Sequence, residues 1–493
     1  MTLEDVLAVR PSPGTPRDYR FPSFDRTVLD NGIQVLTVDL PGRPLISANL
    51  VIRVGAAYEP ANLGGVTILA ARAATEGTER YPGLALVEAS ERLGATLHAE
   101  ASWDAFVGAV DVAASRLGEA LLLLDELIER PTFAEEDVVR LRDERVNDLL
   151  QVKADARRRA ERSFNEVIYA EGSPYRRPAA GDESTVPSLD SAAVKQVHRT
   201  LLDPSRVALI VGGDLRGLDV PALAAKAFGS FGTAAGFGGV RGSAAAASLR
   251  AAKPEPSDAT SVDHPIVRLY HHPGAVQSEL RIGHVGVSRL TPDFHAIQLM
   301  ASILGGLFNS RLQSNLRERK GYTYGIGAGF EMRRAAGPFA VRTAVQTAAT
   351  VPSIAESLAE LNRMRDTNVT DDELKAARDY LVGVFPLRFE VPEAVVASIG
   401  GLFSLGLPDD ELARYRERIE AVTIGDIRRA AEEHIHTDRI AVVAVGDADL
   451  VATDLEAAGF GELEVINEPL PVADEDGDDG GDGEDGGEEG AAE

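Results

Sequence analysis

Arg317 and Tyr324 stand seven residues apart in Leu316-Arg317-Glu318-Arg319-Lys320-Gly321-Tyr322-Thr323-Tyr324-Gly325, on either side of a helix end that Gly321 predicts. A guanidinium carries N–H donors in a fixed fork, and a phenol adds one O–H donor. Held across a helix end, the two can grip a single peptide carbonyl. Upstream, Leu304-Gly305-Gly306-Leu307-Phe308-Asn309-Ser310-Arg311-Leu312 reads as a glycine turn that opens the helix. On these residues alone the plainer reading is a surface arginine and a half-buried tyrosine at a helix-to-strand turn.

The elements that must position this pair fall into two similar halves. Asp203-Pro204-Ser205-Arg206 leads into the apolar run Val207 to Gly213 and then Asp214; Thr437-Asp438-Arg439 leads into Ile440 to Gly446 and then Asp447. Earlier in each half a capped acidic helix is predicted, at Phe133-Ala134-Glu135-Glu136-Asp137-Val138 and at Val369-Thr370-Asp371-Asp372-Glu373-Leu374. Arg142-Asp143 and Arg378-Asp379 follow at matching depth. Two landmarks at similar offsets point to internal duplication. Within the first half, Val28 to Val38 carries an Asn31-Gly32 hairpin signal,. Ile46 to Val54 and Phe106 to Val112 predict further strands, and Ser115 to Glu129 and Glu135 to about Glu161 predict long helices,. Grouped strands with several helices predict an α+β fold: two homologous α/β sandwich halves, each a largely antiparallel sheet with helices packed on one face. The Ala-, Gly- and Ser-rich run after Ser230-Phe231-Gly232, followed by Lys253-Pro254-Glu255-Pro256, reads as a flexible linker between them,. The expected organisation is 1–25 N-terminal extension, 26–229 first domain, 230–260 linker, 261–460 second domain and 461–493 acidic tail.

Bulk composition narrows the function. The chain has 493 residues, a formal charge of −27 and no cysteine. Thiolate zinc sites and cysteine nucleophiles are therefore excluded, and a reducing compartment is compatible. The acidic balance argues against nucleic acid as a partner, since phosphate neutralisation needs lysine and arginine. From Asp474 to Glu493 only Asp, Glu, Gly and Ala occur, a composition expected to be disordered and solubilising. No apolar run is long enough to span a bilayer, and Met1 to Ser23 holds no apolar core of signal-peptide length. The expectation is a cytoplasmic protein without a membrane partner. The nine histidines form neither H-x-x-E-H nor H-E-x-x-H; His271-His272 and His434-Ile435-His436 read as strand or helix-end residues rather than ligands. Gly325-Ile326-Gly327-Ala328-Gly329 lacks nucleotide-loop spacing, and neither G-x-x-x-x-G-K-[ST] nor G-x-S-x-G occurs,.

Leu29-Asp30-Asn31-Gly32, Gly64-Gly65, Glu76-Gly77-Thr78 and the Gly305 to Tyr324 segment, in that order, resemble the pitrilysin/insulinase-type zinc metallopeptidases, or inverzincins, from about Arg26 to Leu450. In that family H-x-x-E-H supplies two zinc-binding imidazoles and a general base. The resemblance places the histidines at Ile68 and Arg72, the glutamate at Ala71, and the third ligand, a downstream glutamate, near Asp148. Ile68 has no lone pair to donate, Ala71 accepts no proton, and Arg72 brings a permanent positive charge. The resemblance therefore implies a degenerate site with no catalytic residue and no metal of its own.

The second half matches the family differently. There an Arg and a Tyr seven apart bind the substrate backbone near the metal, and Arg317 and Tyr324 occupy those positions. Gly305 and Gly306 would let the backbone pass close to a peptide or the chamber wall. Heterodimeric, processing-peptidase-like members divide the site between two chains, and this one resembles the Arg/Tyr-bearing type. The resemblance implies a zinc-lacking substrate-binding subunit, inactive alone. Its partner would be a related zinc-bearing peptidase subunit, with which it would form a metalloendopeptidase acting on a peptide substrate. The alternative is a proteolytically inactive structural or peptide-binding homologue.

Overall fold

The computed structural model describes residues 18–232 and 260–468. Most of the expected 1–25 extension, nearly all of the 230–260 linker and the acidic stretch from Asp474 lie outside the described residues.

The Asn31-Gly32 signal closes a hairpin. β1 (Asp25–Val28) and β2 (Gln34–Asp39) pair antiparallel, Gly32 supplies the left-handed turn at φ +97°, and the Asn31 side chain accepts from the Ile33 N–H,. Next along the chain come β3 (Leu45–Ile52), α1 (Val66–Ala74), α2 (Leu84–Leu93), β4 (Thr96–Ala101), β5 (Phe106–Ala113), α3 (Leu117–Glu129), α4 (Glu135–Ala154), α5 (Ala156–Ile168), α6 (Ser191–Leu201), β6 (Val207–Gly213) and α7 (Val220–Phe228). The second half holds β7 (Ile266–His271), β8 (Gln277–Val285), α8 (Phe294–Ala301), β9 (Ile326–Phe330), β10 (Pro338–Gln346), α9 (Thr350–Asp366), α10 (Asp371–Val384), α11 (Pro392–Leu405), α12 (Tyr415–Ala421), α13 (Ile424–His434), β11 (Ala441–Gly446), α14 (Ala448–Ala458) and β12 (Glu462–Ile466).

Each half contributes one six-stranded sheet, ordered β1-β2-β6-β3-β5-β4 and β12-β7-β11-β8-β10-β9. Without the outermost strands β1 and β12, the two orders coincide strand for strand. In both, the first and last strands of the repeat pair parallel, β2 with β6 and β7 with β11, while the other shared pairings are antiparallel. The sheets are thus largely antiparallel. Only the added edge differs: β1 joins by its hairpin, whereas β12 returns from the chain's far end and pairs parallel with β7. The two Arg-led apolar runs become the buried central strands β6 and β11.

Two local expectations need correction. The predicted helix from Glu135 to about Glu161 is two helices. Asp155 leaves helical geometry, and its carboxylate caps α5 by accepting from Arg158 N–H at 2.9 Å,. The two acidic helices are also not capped alike. Thr370 and Glu373 form a reciprocal capping box on α10,. Ala134 precedes α4 without a side-chain cap, after Phe133 at φ +44°. There Glu135, Glu136 and Asp137 complement the helix dipole instead,.

Strand alternation explains how the halves are joined. Val207, Leu209 and Val211 of β6 bury toward their own half's helices, whereas Ala208 and Ile210 face the opposite way. That opposite face is covered by α11 of the second half, through Val395, Val396 and Ile399 against β3 and β6. Reciprocally, α5 of the first half lies on β8 and β11 of the second sheet, burying Ala160, Phe164 and Ile168 with Val443 and Val445. Polar contacts follow the same exchange. Glu161 on α5 accepts from Arg281 at 2.8 Å and from Arg342 at 3.2 Å. Burial pushes its carboxyl up, but the two guanidiniums prevail and hold it below the ordinary range. Arg53 lies 4.3 Å over the Phe403 ring, and Arg333 lies 4.7 Å from both the Trp103 and Tyr175 rings,.

The first half extends slightly past its expected end. Phe231 is fully buried, and Gly232 N–H donates to Glu129 at 3.0 Å. Beside Glu129, burial and the Glu129 charge push Asp125 up to about 7 against the opposing pull of Arg130.

Two outcomes are expected. Ile399→Ala should cost roughly 2–5 kcal/mol by urea denaturation, and because each sheet needs the other half's helix, unfolding should remain one transition; two resolved transitions would contradict the exchange. The raised Asp125 favours the protonated form in the fold, so its contribution is complete below 3.8 and drains away as pH climbs to about 7,. Asp125→Asn should flatten the melting temperature across that window, as read by circular dichroism.

Candidate functional site

The Arg317 segment rests on a clamped frame. α8 runs into a π-helical turn, Ser302–Gly306, that ends as Leu307 N–H donates to Ser302 O. Gly305 is buried here, and a Cβ on it would sit 2.3 Å from the Ala328 nitrogen of β9. Its missing side chain makes room for the chain's own strand. Gly306 is exposed beside it. The next helical segment, Gln313–Arg319, is also π-wound and is held from inside. Leu312 and Leu316 are fully buried. Arg311 forks onto Glu373 at 2.7 and 3.0 Å, holding that carboxyl down at about 2 against burial. Asn315 donates to Glu356 at 2.8 Å and Glu360 at 3.1 Å, both on α9.

Gly321, at φ +66°, ends this helix as Tyr322 N–H returns to Leu316 O at 2.9 Å,. The following turn is pinned by threonines. Thr323 Oγ1 lies 2.7 Å from Ala344 O and 2.9 Å from Thr343 Oγ1, and it accepts from Gly325 N–H at 3.1 Å. The outcome is a rigid turn bearing Tyr324, which is 97% exposed rather than half-buried. Arg317 sits 4.8 Å from the centre of the Phe308 ring. Arg317 and Tyr324 line one open depression of about 450 Å³, together with Tyr322, Gln277 and Gln346; Gly305 and Gly306 do not line it. Among the described residues, neither the Arg317 guanidinium nor the Tyr324 hydroxyl has a hydrogen-bond or ion-pair partner. Gln277 and Gln346 were not legible in the sequence: they lie far apart along the chain and meet only through the β8–β10 register.

The first half's site is arranged in the opposite way. Ile68, Ala71 and Arg72 lie on α1. Its N-terminus is held by the buried Glu59, which accepts from Gly65 N–H and Thr67 N–H and pairs with Arg177 at 2.8 Å. Ala71 is buried. Arg72 pairs with Glu144 of α4 at 2.8 Å, and Glu144 also takes Arg140 at 2.9 Å. One turn further on, Asp148 pairs with Arg145 and, at 2.5 Å, with Arg158. Burial raises the Asp148 carboxyl, but the two guanidiniums outweigh it and hold it low. Zinc does not fit this donor set. Two of the expected ligand positions offer no lone pair, the base position is an alanine, and the one carboxylate is engaged by two cations. Glu144 was missed in the sequence, although its four-residue spacing from Asp148 puts both on one face of α4.

Carboxylates lie near two of the histidines: Asp447 and Asp449 near His271, and Asp293 and Glu433 near His434. One member of each group is already engaged: His271 Nδ1 accepts from Ala448 N–H at 3.0 Å, and Asp293 takes Arg429 at 2.7 Å and His434 at 2.9 Å.

Residues 34–178 match the family description Insulinase (Peptidase family M16), and residues 188–381 match Peptidase M16 inactive domain. A Helicobacter pylori protein named non-peptidase homolog YmxG is 21% identical over 412 residues, covering 82% of this chain and 89% of the relative. An uncharacterized zinc protease of Streptomyces coelicolor is 23% identical, covering 83% of this chain and 86% of the relative. Among solved structures, a peptidase M16 inactive domain from Pseudomonas fluorescens matches with a TM-score of 0.75 at 22% identity, covering 86% of this chain and 98% of that one. A protease from Helicobacter pylori matches at 0.72 and 17% identity, covering 87% and 100%. At these identities the structural likeness speaks to the fold.

Equilibrium dialysis of the purified chain against zinc, followed by metal analysis, is expected to give well below one ion per chain. Stoichiometric, chelator-sensitive zinc would contradict the assignment of Ile68, Ala71 and Arg72.

Proposed function

This chain belongs to the insulinase (peptidase M16) family, and we propose that within it the chain is a non-catalytic, zinc-lacking subunit that binds peptide substrate for a zinc-bearing partner. The observation that carries the reading is the contrast between its two halves. In the first, the expected zinc positions hold an isoleucine, an alanine and an arginine paired to Glu144. In the second, Arg317 and Tyr324 are held on a frame fixed by Arg311, Asn315 and Thr323, with their own polar groups left available.

In this reading, Arg317 and Tyr324 orient the peptide backbone and stabilise negative charge developing on the carbonyl oxygen. A guanidinium stays charged at any working pH. The partner, a related H-x-x-E-H chain, brings zinc, the base and the attacking water. No helix among the described residues is long and apolar enough to cross a membrane, and a cytoplasmic location is part of the proposal. The second reading is a relative without any proteolytic role, and the name of the Helicobacter pylori protein favours it.

Mixing decides between them. The purified chain should be inert toward a quenched fluorescent peptide and active once a related H-x-x-E-H chain from the same cells is added. Arg317→Ala or Tyr324→Phe should then lower turnover of the mixture by about two to three orders of magnitude. A mixture that forms a complex but never cleaves favours the second reading, and full activity in both variants removes the assigned roles.

A further inference from the structure

The depression around Arg317 has a charge pattern that backbone gripping does not require. Among the described residues, Arg317 is the only fully charged one in its lining, and no carboxylate lines it. Its other polar side chains include the carboxamides of Gln277 and Gln346 and the phenols of Tyr322 and Tyr324. Gln277 opens β8 and Gln346 closes β10, directly opposite each other in register, and both are exposed. Elsewhere this chain pairs its arginines freely: Arg311 with Glu373, Arg281 with Glu161 and Glu279, Arg289 with Glu411. The chain carries 77 acidic against 50 basic residues, yet neutral amides stand where a carboxylate would compensate Arg317.

We propose that this depression is a specificity subsite for an acidic side chain of the bound peptide, with Gln277 and Gln346 as its determinants beside Arg317. The inference rests on the reading of Arg317 and Tyr324 as a peptide grip, and it adds the class of side chain accepted. A guanidinium has five N–H donors in one plane. The Phe308 contact covers a face of Arg317 and leaves edge donors available, so one arginine can serve a backbone carbonyl and a carboxylate together. A carboxylate accepts from several donors at once, and the two carboxamides and two phenols supply neutral donors around it. A lysine or arginine side chain would meet a like charge. A glutamine would keep the shape but lose the charge assistance. The site is open to water, so discrimination is modest and weakens with salt.

The test uses the intact 493-residue chain and fluorescein-labelled peptides of alanine, serine, glycine and one tyrosine, in which a single Glu, Gln or Lys is moved along the sequence. Anisotropy titrations at low salt should reveal one position where Glu binds about three- to tenfold tighter than Gln, with Lys weaker still. Gln277→Glu and Gln346→Glu, each at an exposed position and checked for unchanged melting, should abolish or reverse that order by giving Arg317 an internal partner. Binding without charge preference at any position, or a preference that both variants leave unchanged, overturns the subsite while the grip stands. If no peptide binds at all, both the subsite and the peptide-grip reading fall.

Discussion

Each sheet of this protein has one face that its own half cannot cover. The alternation of β6 sends Ala208 and Ile210 away from the first half's helices, and the alternation of β11 sends Val443 and Val445 away from the second's. Apolar faces of that size must be buried, and the fold does so by exchange, with α11 on the first sheet and α5 on the second. α5 and α11 hold the same place in the duplicated order of elements, each following a long acidic helix, α4 or α10. The cores are therefore interlocked rather than adjoining. Glu161, placed by α5 between Arg281 and Arg342, is the charged counterpart of that interlock.

The same duplication shows how the two candidate regions relate. α1 with its degenerate positions and α8 with the Gly305 turn stand in equivalent places, α1 between β3 and the edge strand β4, α8 between β8 and the edge strand β9. Where the first half continues with α2, the second inserts the segment that bears Arg317. A single ancestral arrangement has thus been turned to different ends. The first copy is tied to α4 by ion pairs across Arg72 and Glu144. The second packs so tightly on β9 that only glycine fits at position 305. Tight packing and clamps at Arg311, Asn315 and Thr323 hold the Arg317 turn without engaging its own donors.

Much of this was legible in the sequence because the signals were local or repeated. The Asn31-Gly32 hairpin, the helix end at Gly321 and the two Arg-led buried strands are written in neighbouring residues. What was not legible depends on distance along the chain or on competition between neighbours. Asp155 breaks the long helix without a glycine or proline to announce it; its carboxylate simply caps the next helix, in a charged stretch that otherwise favours continuation. The exposure of Tyr324 comes from Thr323 binding β10, which no local pattern reveals. Gln277 and Gln346 meet only because two strands pair in one register. Asp447 and Asp449 near His271, and Asp293 near His434, arrive from other elements, so residue spacing could not foresee them.

A charge that is already paired has little left to offer a ligand. In the first half, Arg72, Arg140, Arg145 and Arg158 are matched against Glu76, Glu144 and Asp148, so the helices meet through charges that satisfy one another. Such partly exposed pairs add little stability each, yet together they leave no carboxylate free at the position where a metal would need one. In the second half the arginine that borders the depression has an aromatic ring beside it, and among the described residues no carboxylate lines that depression. Beyond that ring contact, its guanidinium has no hydrogen-bond or ion-pair partner among the described residues. The two halves thus treat their arginines differently: around Arg72 and Asp148 they are paired within the fold, while Arg317 keeps its donors unpaired among the described residues.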